Sequence, residues 1–329
     1  MIAQTAQIQD YKTAKHPRLV SFENSNSWLK RHDDEGTGTL VIQAGYTESI
    51  GMMAKGDDEN PIVISGSSKR WYGSKACLDD HKRIHGLDKI GTARESFTAC
   101  LRPSDHGRDL IVIASHWDYG NLSDLKTALK GQYKVIRNGE TIQCTVTQVL
   151  PVLEGLGSYA AVKSKLDPGY SLLIEIGYGT AEEYLIDGSG EVVDGNPVTA
   201  LGVAKLVNTI ASDPSVKAGL GITSNSTSVN LSLISAALQS ETLGKLSADQ
   251  WRAIKRKHVN AWFEMIQGHI ATKYESQSQN LVNLILTGGG AALLKSVKPD
   301  VIEFFTIPDR PQVASVIGAY DSQMAKVGV

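Results

Sequence analysis

Cysteine is scarce in this chain: Cys77, Cys100 and Cys144 are the full set. Three is an odd number without framework spacing, which excludes a disulfide scaffold and suits a reducing cytosol. Long apolar runs are missing as well. None approaches the roughly 18–20 consecutive apolar residues that a membrane-spanning helix needs. The first residues, MIAQTAQIQDYKTAKHPR, hold neither an apolar h-region nor a small-residue cleavage site. The expected location is therefore cytoplasmic, with no transmembrane segment. Charge of one sign is absent too: 33 Lys and Arg against 35 Asp and Glu leave a net −2. That removes the basic face that direct nucleic-acid binding usually requires. No Walker G-x-x-x-x-G-K-[ST], no G-x-G-x-x-G and no G-x-S-x-G elbow occurs. Low-complexity tracts and short-period repeats are also lacking.

What is present is alternation. The 329 residues, 41% apolar, are enough for two core-bearing lobes. RLVSFEN, TLVIQAG and PIVISGSSKRWYG read as strands in the first seventy-five residues, and residues 75–100 carry helix formers. DLIVIASHW is an apolar run of strand length, covered on both faces. QYKVIRNGETIQCTVTQVL surrounds Asn138-Gly139, the dipeptide of type I′ hairpins. Residues 248–274 form the clearest helix. Ser247 and Gln250 make a capping box there, and Trp251, Ile254, Trp262, Met265 and Ile266 form an apolar stripe. NLVNLILTGGGAALL is a strand entering a helix, VIEFFTI one more strand, and QVASVIGAYDSQMAKV a closing helix. Strand–helix alternation makes the class α/β. Two strand-hairpin-then-helix blocks hint at a duplication.

Four places carry chemistry. In SLLIEIGYGT an apolar strand ends in Glu175 and runs into Gly177, Gly179 and Thr180. Glycines let backbone N–H groups approach a phosphate, and a carboxylate can hold the accompanying Mg²⁺. In LVSFENSNSWLK the same plan recurs: Glu23 ends a strand, Ser25, Asn26 and Ser27 form a polar turn, and Lys30 follows. Hydroxyls, an amide and an ammonium can all donate to phosphate oxygens. Gly288, Gly289 and Gly290 follow a buried strand, where a flat ligand can lie against the backbone. Glu154, just past a strand in VLPVLEG, could orient or deprotonate a water. Taken singly, each also fits an ordinary structural role: a glycine hairpin, a polar turn, tight packing, or a charge in the first helical turn.

Other groupings are set aside. Cys77, His81 and His85 share a helical face but lack a fourth zinc ligand. KRKH at 255–258 reads as the wet face of the long helix. Asp10 with Lys15 offers a rival carboxylate and cation, but no apolar strand precedes Asp10.

The order of these pieces resembles the actin-type ATPases, and within them the plasmid-segregation branch, the ParM/StbA-like bacterial actins. The likeness spans roughly residues 19–325, with 40–105 matching loosely. It implies an actin-like, duplicated ribonuclease-H-like fold of two lobes with nucleotide in the cleft between them. The first lobe would be 1–172 with the helix 308–329 packed back on it, and the second 173–307. Glu154 would match the family's water-positioning glutamate. Glu175 stands where the family has Asp, and Gly177, Gly179 and Thr180 would wrap the phosphates. Gly288, Gly289 and Gly290 would back the adenosine, with Gly202 near the sugar. In the first hairpin Glu23 again replaces Asp and Ser25 replaces a glycine, with Lys30 kept. Glu23 and Glu175 would be the metal-side carboxylates. The implied cofactors are ATP (or GTP) and Mg²⁺. The implied partners are further copies of the chain in a filament and a small DNA-binding adaptor of the ParR type. The altered phosphate clamp keeps a non-hydrolysing scaffold open, and a sugar- or acetate-kinase-like phosphotransferase is the other alternative.

Overall fold

The computed structural model describes residues 17–25, 27–34, 38–52, 54–77, 83–84, 88–222 and 229–327. Asp10, Lys15, Asn26, His81 and His85 lie outside these. The chain divides into two compact units, residues 1–163 with 313–329, and residues 164–312. The division falls before strand Tyr170–Ile176 instead of inside it, because that strand finds its pairing partners wholly within the second unit.

The first unit is built on ten strands: β1 (Arg18–Asn24), β2 (Trp28–His32), β3 (Leu40–Gln43), β4 (Gly45–Thr47), β5 (Ile62–Ser65), β6 (Ser68–Tyr72), β7 (Arg83–Ile84), β8 (Asp109–His116), β9 (Gly131–Arg137) and β10 (Glu140–Leu153). Their order across the sheet is β3-β2-β1-β8-β10-β9-β5-β6-β4-β7. β1, β8 and β10 run parallel, while β2 and β3 fold back antiparallel on one side. The apolar run of β8 is buried on both faces, as its composition requires. Leu110 and Val112 join Val20, Phe22 and Phe97 in one core. Ile111 and Ile113 join Leu19, Ala319 and Tyr320 on the other face. Asn138 (φ 53°) and Gly139 (φ 90°) form the expected left-handed turn between β9 and β10. Between residues 74 and 100 the expected helical stretch is two helices, Ser74–Cys77 and Ala93–Cys100, with β7 between them.

The last helix, Ala314–Val327, packs on the helix Leu156–Val162 within this unit. The two meet backbone to backbone. A Cβ on Gly157 would collide with the Ser315 carbonyl, and one on Gly318 with the Gly157 carbonyl. This close approach explains the small-residue pattern VASVIGAY.

A buried ionic cluster fixes the opposite ends of β1 and β2. Arg18 bonds Asp33 at 2.7 Å and Asp105 at 2.9 Å, Arg31 bonds both carboxylates, and Arg102 reaches Asp33 at 3.1 Å. Burial alone would push the Asp105 carboxyl up, but Arg31 and Arg18 hold it below its usual range.

The second unit repeats the plan. β11 (Tyr170–Ile176), β12 (Ala181–Ile186), β13 (Val192–Val198) and β14 (Leu281–Thr287) lie in the order β13-β12-β11-β14. β14 is parallel to β11, and β12 and β13 are antiparallel, matching β3-β2-β1-β8. The place of β10 is nearly empty. VIEFFTI is not the expected strand: Pro299–Glu303 is a 3-10 turn, and only Thr306 bridges Ile285. Prolines at 299, 308 and 311 lack the N–H groups a longer ladder needs. The helix Ala248–Lys273 starts at the expected reciprocal cap between Ser247 and Gln250. Trp251, Trp262 and Ile266 pack into the core with Leu172, Ile174 and Ile176. Met265 does not; it is 41% exposed, and Val259 and Phe263 fill the buried face instead.

Two outcomes are expected. Gly318→Val should lower stability by about 1–3 kcal/mol or more, because backbone cannot retreat as a side chain can; urea melts of the variant check this. The Asp105 share of stability is present above the ordinary carboxylate value of about 3.9 and lost as pH falls through the lowered folded value. Asp105→Asn should therefore flatten the acid side of the stability–pH curve, measured by melts from neutral pH downward.

Candidate functional site

In the first unit the three parallel strands end at one edge, the usual ligand-facing end of such sheets. Glu23 and Asn24 close β1, His116 closes β8 and Glu154 follows β10. Glu23 stands opposite Ser115 and Leu153 opposite His116, so the registers bring these ends level. The Glu154 N–H donates to the His116 carbonyl at 3.0 Å.

The β1–β2 hairpin places Glu23 directly across from Lys30. Glu23 is 1% exposed. Lys30 Nζ donates to its Oε1, and the Ser315 hydroxyl donates to its Oε2. Both carboxylate oxygens are therefore engaged within the unit, and the Lys30 ammonium sits on Glu23. Ser25 closes the turn: its N–H and hydroxyl both donate to the Trp28 carbonyl, at 3.1 and 2.7 Å. Ser25 holds this place without the positive φ that would favour glycine. Among the described residues, Asn138 is the one non-glycine with positive φ. The Ser27 carbonyl accepts from the Ala44 N–H at 2.8 Å, tying the turn to the residue between β3 and β4.

Glu154 lies outside the helix that begins at Leu156, with Gly155 (φ 85°) between as its cap. It is not a first-turn charge. Its Oε2 takes a 2.7 Å bond from Lys89 Nζ, both side chains being buried. The Lys89 carbonyl in turn accepts from Asn24 Nδ2 at 2.9 Å. Burial, and then the Lys89 ammonium beside it, hold His116 below its usual value.

The second unit repeats the hairpin with the same spacing. Glu175 faces Glu182 across β11 and β12, as Glu23 faces Lys30. Gly177 N–H donates to the Thr180 carbonyl at 2.9 Å, the counterpart of Ser25 and Trp28. Glu175 and Glu182 are 3% and 4% exposed, and directly paired residues share a face of the sheet. Where the first hairpin carries opposite charges, the second carries two carboxylates. The Thr180 hydroxyl donates to Glu182 at 2.7 Å, so it is directed at this pair.

Gly202 is brought against this turn: a Cβ there would lie 2.6 Å from the Gly179 carbonyl. The helix Val203–Ala211 starts on the turn, its Val203 and Ala204 N–H groups donating to the carbonyls of Gly177 and Tyr178. The three glycines after β14 divide. Gly288 (φ +85°) and Gly290 are required by packing against Ile176, with Trp262 also close to Gly290. Gly289 alone of the three has open space where a Cβ would stand.

Within each unit, then, the structure groups Glu23, Ser25, Ser27, Lys30 and Glu154, and groups Glu175, Gly177, Gly179, Thr180, Gly202 and Gly288–Gly290. Lys89, Ser315 and Glu182 belong to these groups and were not singled out from sequence. Glu182 had a signal: it follows Glu175 by seven residues, as Lys30 follows Glu23.

Lys30→Ala should destabilise the protein by about 3–5 kcal/mol, because it leaves a buried carboxylate without its cation. Adding Glu23→Gln should restore much of the loss. Melts of both variants test the pair.

No protein-family model and no curated protein sequence matches the chain. Solved structures do match it. An archaeal actin homologue, Ta0583, in complex with ADP aligns at TM-score 0.73 and 18% identity, over 94% of this chain and 99% of that one. A ParM from a 15-stranded Clostridium botulinum filament aligns at 0.69 and 11%, over 94% and 99%. Bacillus thuringiensis ParM with ATP aligns at 0.68 and 15%, again over 94% and 99%. The chain has the actin fold, and the repeated strand order is its duplication. Among the described residues no helix is long and apolar enough to cross a membrane.

Proposed function

We infer that this chain, built on the actin fold, is a ParM-like bacterial actin that binds ATP and assembles head to tail into filaments. The observation that carries the reading is the repeated hairpin: Glu23 and Glu175 occupy the same register at the ends of β1 and β11, each followed by the same tight turn. On this reading the turns at Ser25–Ser27 and Gly177–Thr180 are the two phosphate turns, Gly289 lies toward the adenosine, and Glu154 is the water-positioning carboxylate. ATP is the nucleotide, with GTP the alternative. The solved relatives described as an ADP complex, an ATP complex and a filament support this reading. Head-to-tail contacts whose rotation does not close a ring generate open filaments. The filament would segregate plasmid DNA or serve as a cytoskeleton in the cytoplasm. A small ParR-type adaptor would make the DNA contact, a reading the near-neutral charge of the chain supports.

The fold family implies Mg²⁺, and the donors fit it unevenly. Glu23 does not fit as a direct ligand, since Lys30 and Ser315 engage both its oxygens. Glu175 fits: with Glu182 across the hairpin it offers the hard carboxylate oxygens that Mg²⁺ takes. A bound cation would neutralise phosphate charge. Glu175→Ala should accordingly remove the Mg²⁺ dependence of ATP binding, read by titrating a fluorescent ATP analogue with and without the metal. An unchanged dependence sinks the assignment.

A second reading, a filament scaffold that does not hydrolyse, is favoured by one specific observation: Lys30 and Lys89 already neutralise the two carboxylates of the first unit. Pelleting at high speed separates the readings. A dynamic filament pellets with ATP, a scaffold pellets regardless, and a kinase-like phosphotransferase stays soluble in both conditions. Deleting residues 2–15 should leave ATP binding intact; loss of binding would move the phosphate site to Asp10 and Lys15.

A further inference from the structure

We propose that Lys89 is a positioning residue that restrains turnover at Glu154, its buried ammonium holding that carboxylate as a spectator ion. The inference rests on the nucleotide reading above and adds the device that sets its rate. Lys89 Nζ lies 2.7 Å from Glu154 Oε2, and the two side chains are 9% and 5% exposed. Little water is available to screen such a pair.

In the hydrolytic step a water oxygen bonds to the terminal phosphorus and the bond from phosphorus to the bridging oxygen breaks. ADP leaves with that oxygen, and the water proton passes to Glu154. To take that proton Glu154 must offer an oxygen lone pair and become neutral. The ammonium opposes both requirements. It occupies one of two oxygens, and its positive charge at 2.7 Å repels a proton moving toward that carboxylate.

The pair is held at both ends. Asn24 Nδ2 bonds the Lys89 carbonyl, and Asn24 directly follows Glu23 in the first hairpin. The Glu154 N–H bonds the His116 carbonyl at the end of β8. The backbones that carry the two side chains are therefore anchored, one to the first hairpin and the other to the end of β8. Sheet geometry does not require an ammonium here: Lys89 lies in the turn that precedes the helix starting at Ala93.

The test uses the full chain with ATP and Mg²⁺. It compares wild type, Lys89→Met, Lys89→Arg, Lys89→Gln and the double variant Lys89→Met with Glu154→Gln. ATP affinity is read by titration and kcat by phosphate release, with a thermal melt confirming that each variant is folded. Lys89→Met should keep ATP affinity within about twofold while kcat rises on the order of tenfold, a fraction of what a general base contributes. Lys89→Arg, which restores the charge, should return kcat to the wild-type value. The double variant should lose the gain, because the gain passes through Glu154. If Lys89→Met does not fold, Lys89→Gln, which keeps a donor without the charge, must show the rise. An unchanged or lower kcat in the folded variant overturns the proposal, as does a gain that persists in the double variant. A wild type that binds ATP and releases no phosphate still decides it: Lys89→Met must then acquire release. Failure of the wild type to bind ATP is a separate result and sinks the nucleotide reading itself.

Discussion

A buried carboxylate at the end of a central strand is the constraint on which the first unit turns. Glu23 sits almost without solvent between Lys30, seven residues on, and Ser315, 292 residues on. An ion in that position is tolerable only if paired and hydrogen-bonded, since the cost of desolvating it otherwise exceeds what one side chain can offset. The hairpin must therefore close in the register that puts Lys30 opposite Glu23. The last helix must also dock with Ser315 facing the same carboxylate. Docking is permitted by glycine at 157 and 318, which lets two helix backbones touch. Sequence-distant parts of the unit are thus fixed by one charge.

The second unit repeats the backbone of this arrangement and changes its charge. Ser25 and Gly177 hold equivalent places, as do Trp28 and Thr180, and Lys30 and Glu182. One hairpin is internally neutral; the other places two carboxylates on one face, a pairing that is unfavourable without a cation or a proton. Duplication with opposite charge at a single position is enough to give the two halves different chemistry. On the proposed reading the metal would be held at the second hairpin, since Lys30 and Ser315 engage both oxygens of Glu23 in the first.

Much of this was legible in the sequence because it depends on neighbours in the chain. An apolar run ending in Glu23 or Glu175, a two-residue turn, the Ser247–Gln250 cap and Asn138-Gly139 are all local patterns, and each appears where the sequence puts it. Contacts across long separations were not legible. Nothing near Ser315 signals its partner, and Lys89 lies in the stretch whose pattern is weakest. Arg18, Arg31 and Arg102 look like strand-surface charges until Asp33 and Asp105 are seen to enclose them. VIEFFTI has the composition of a strand, yet proline on either side leaves it a single bridge. The glycines after β14 fitted either a ligand surface or tight packing, and the packing of Gly288 and Gly290 on Ile176 is visible only in three dimensions.

The length of the Glu side chain at both hairpins matters through the same physics. A longer carboxylate reaches across its hairpin to the opposite strand, to Lys30 in one unit and alongside Glu182 in the other. Reach of that kind favours a closed, self-satisfied turn over one that awaits a ligand. Backbone groups at the turns and the open space at Gly289 do not depend on the length of either carboxylate. Proton transfer is more demanding, because it needs a carboxylate with a free lone pair at the moment of attack. On the reading proposed above that carboxylate is Glu154, and Lys89 already bonds it. On the reading proposed above, the Lys89–Glu154 pair bears on turnover and leaves the backbone groups of the turns unchanged.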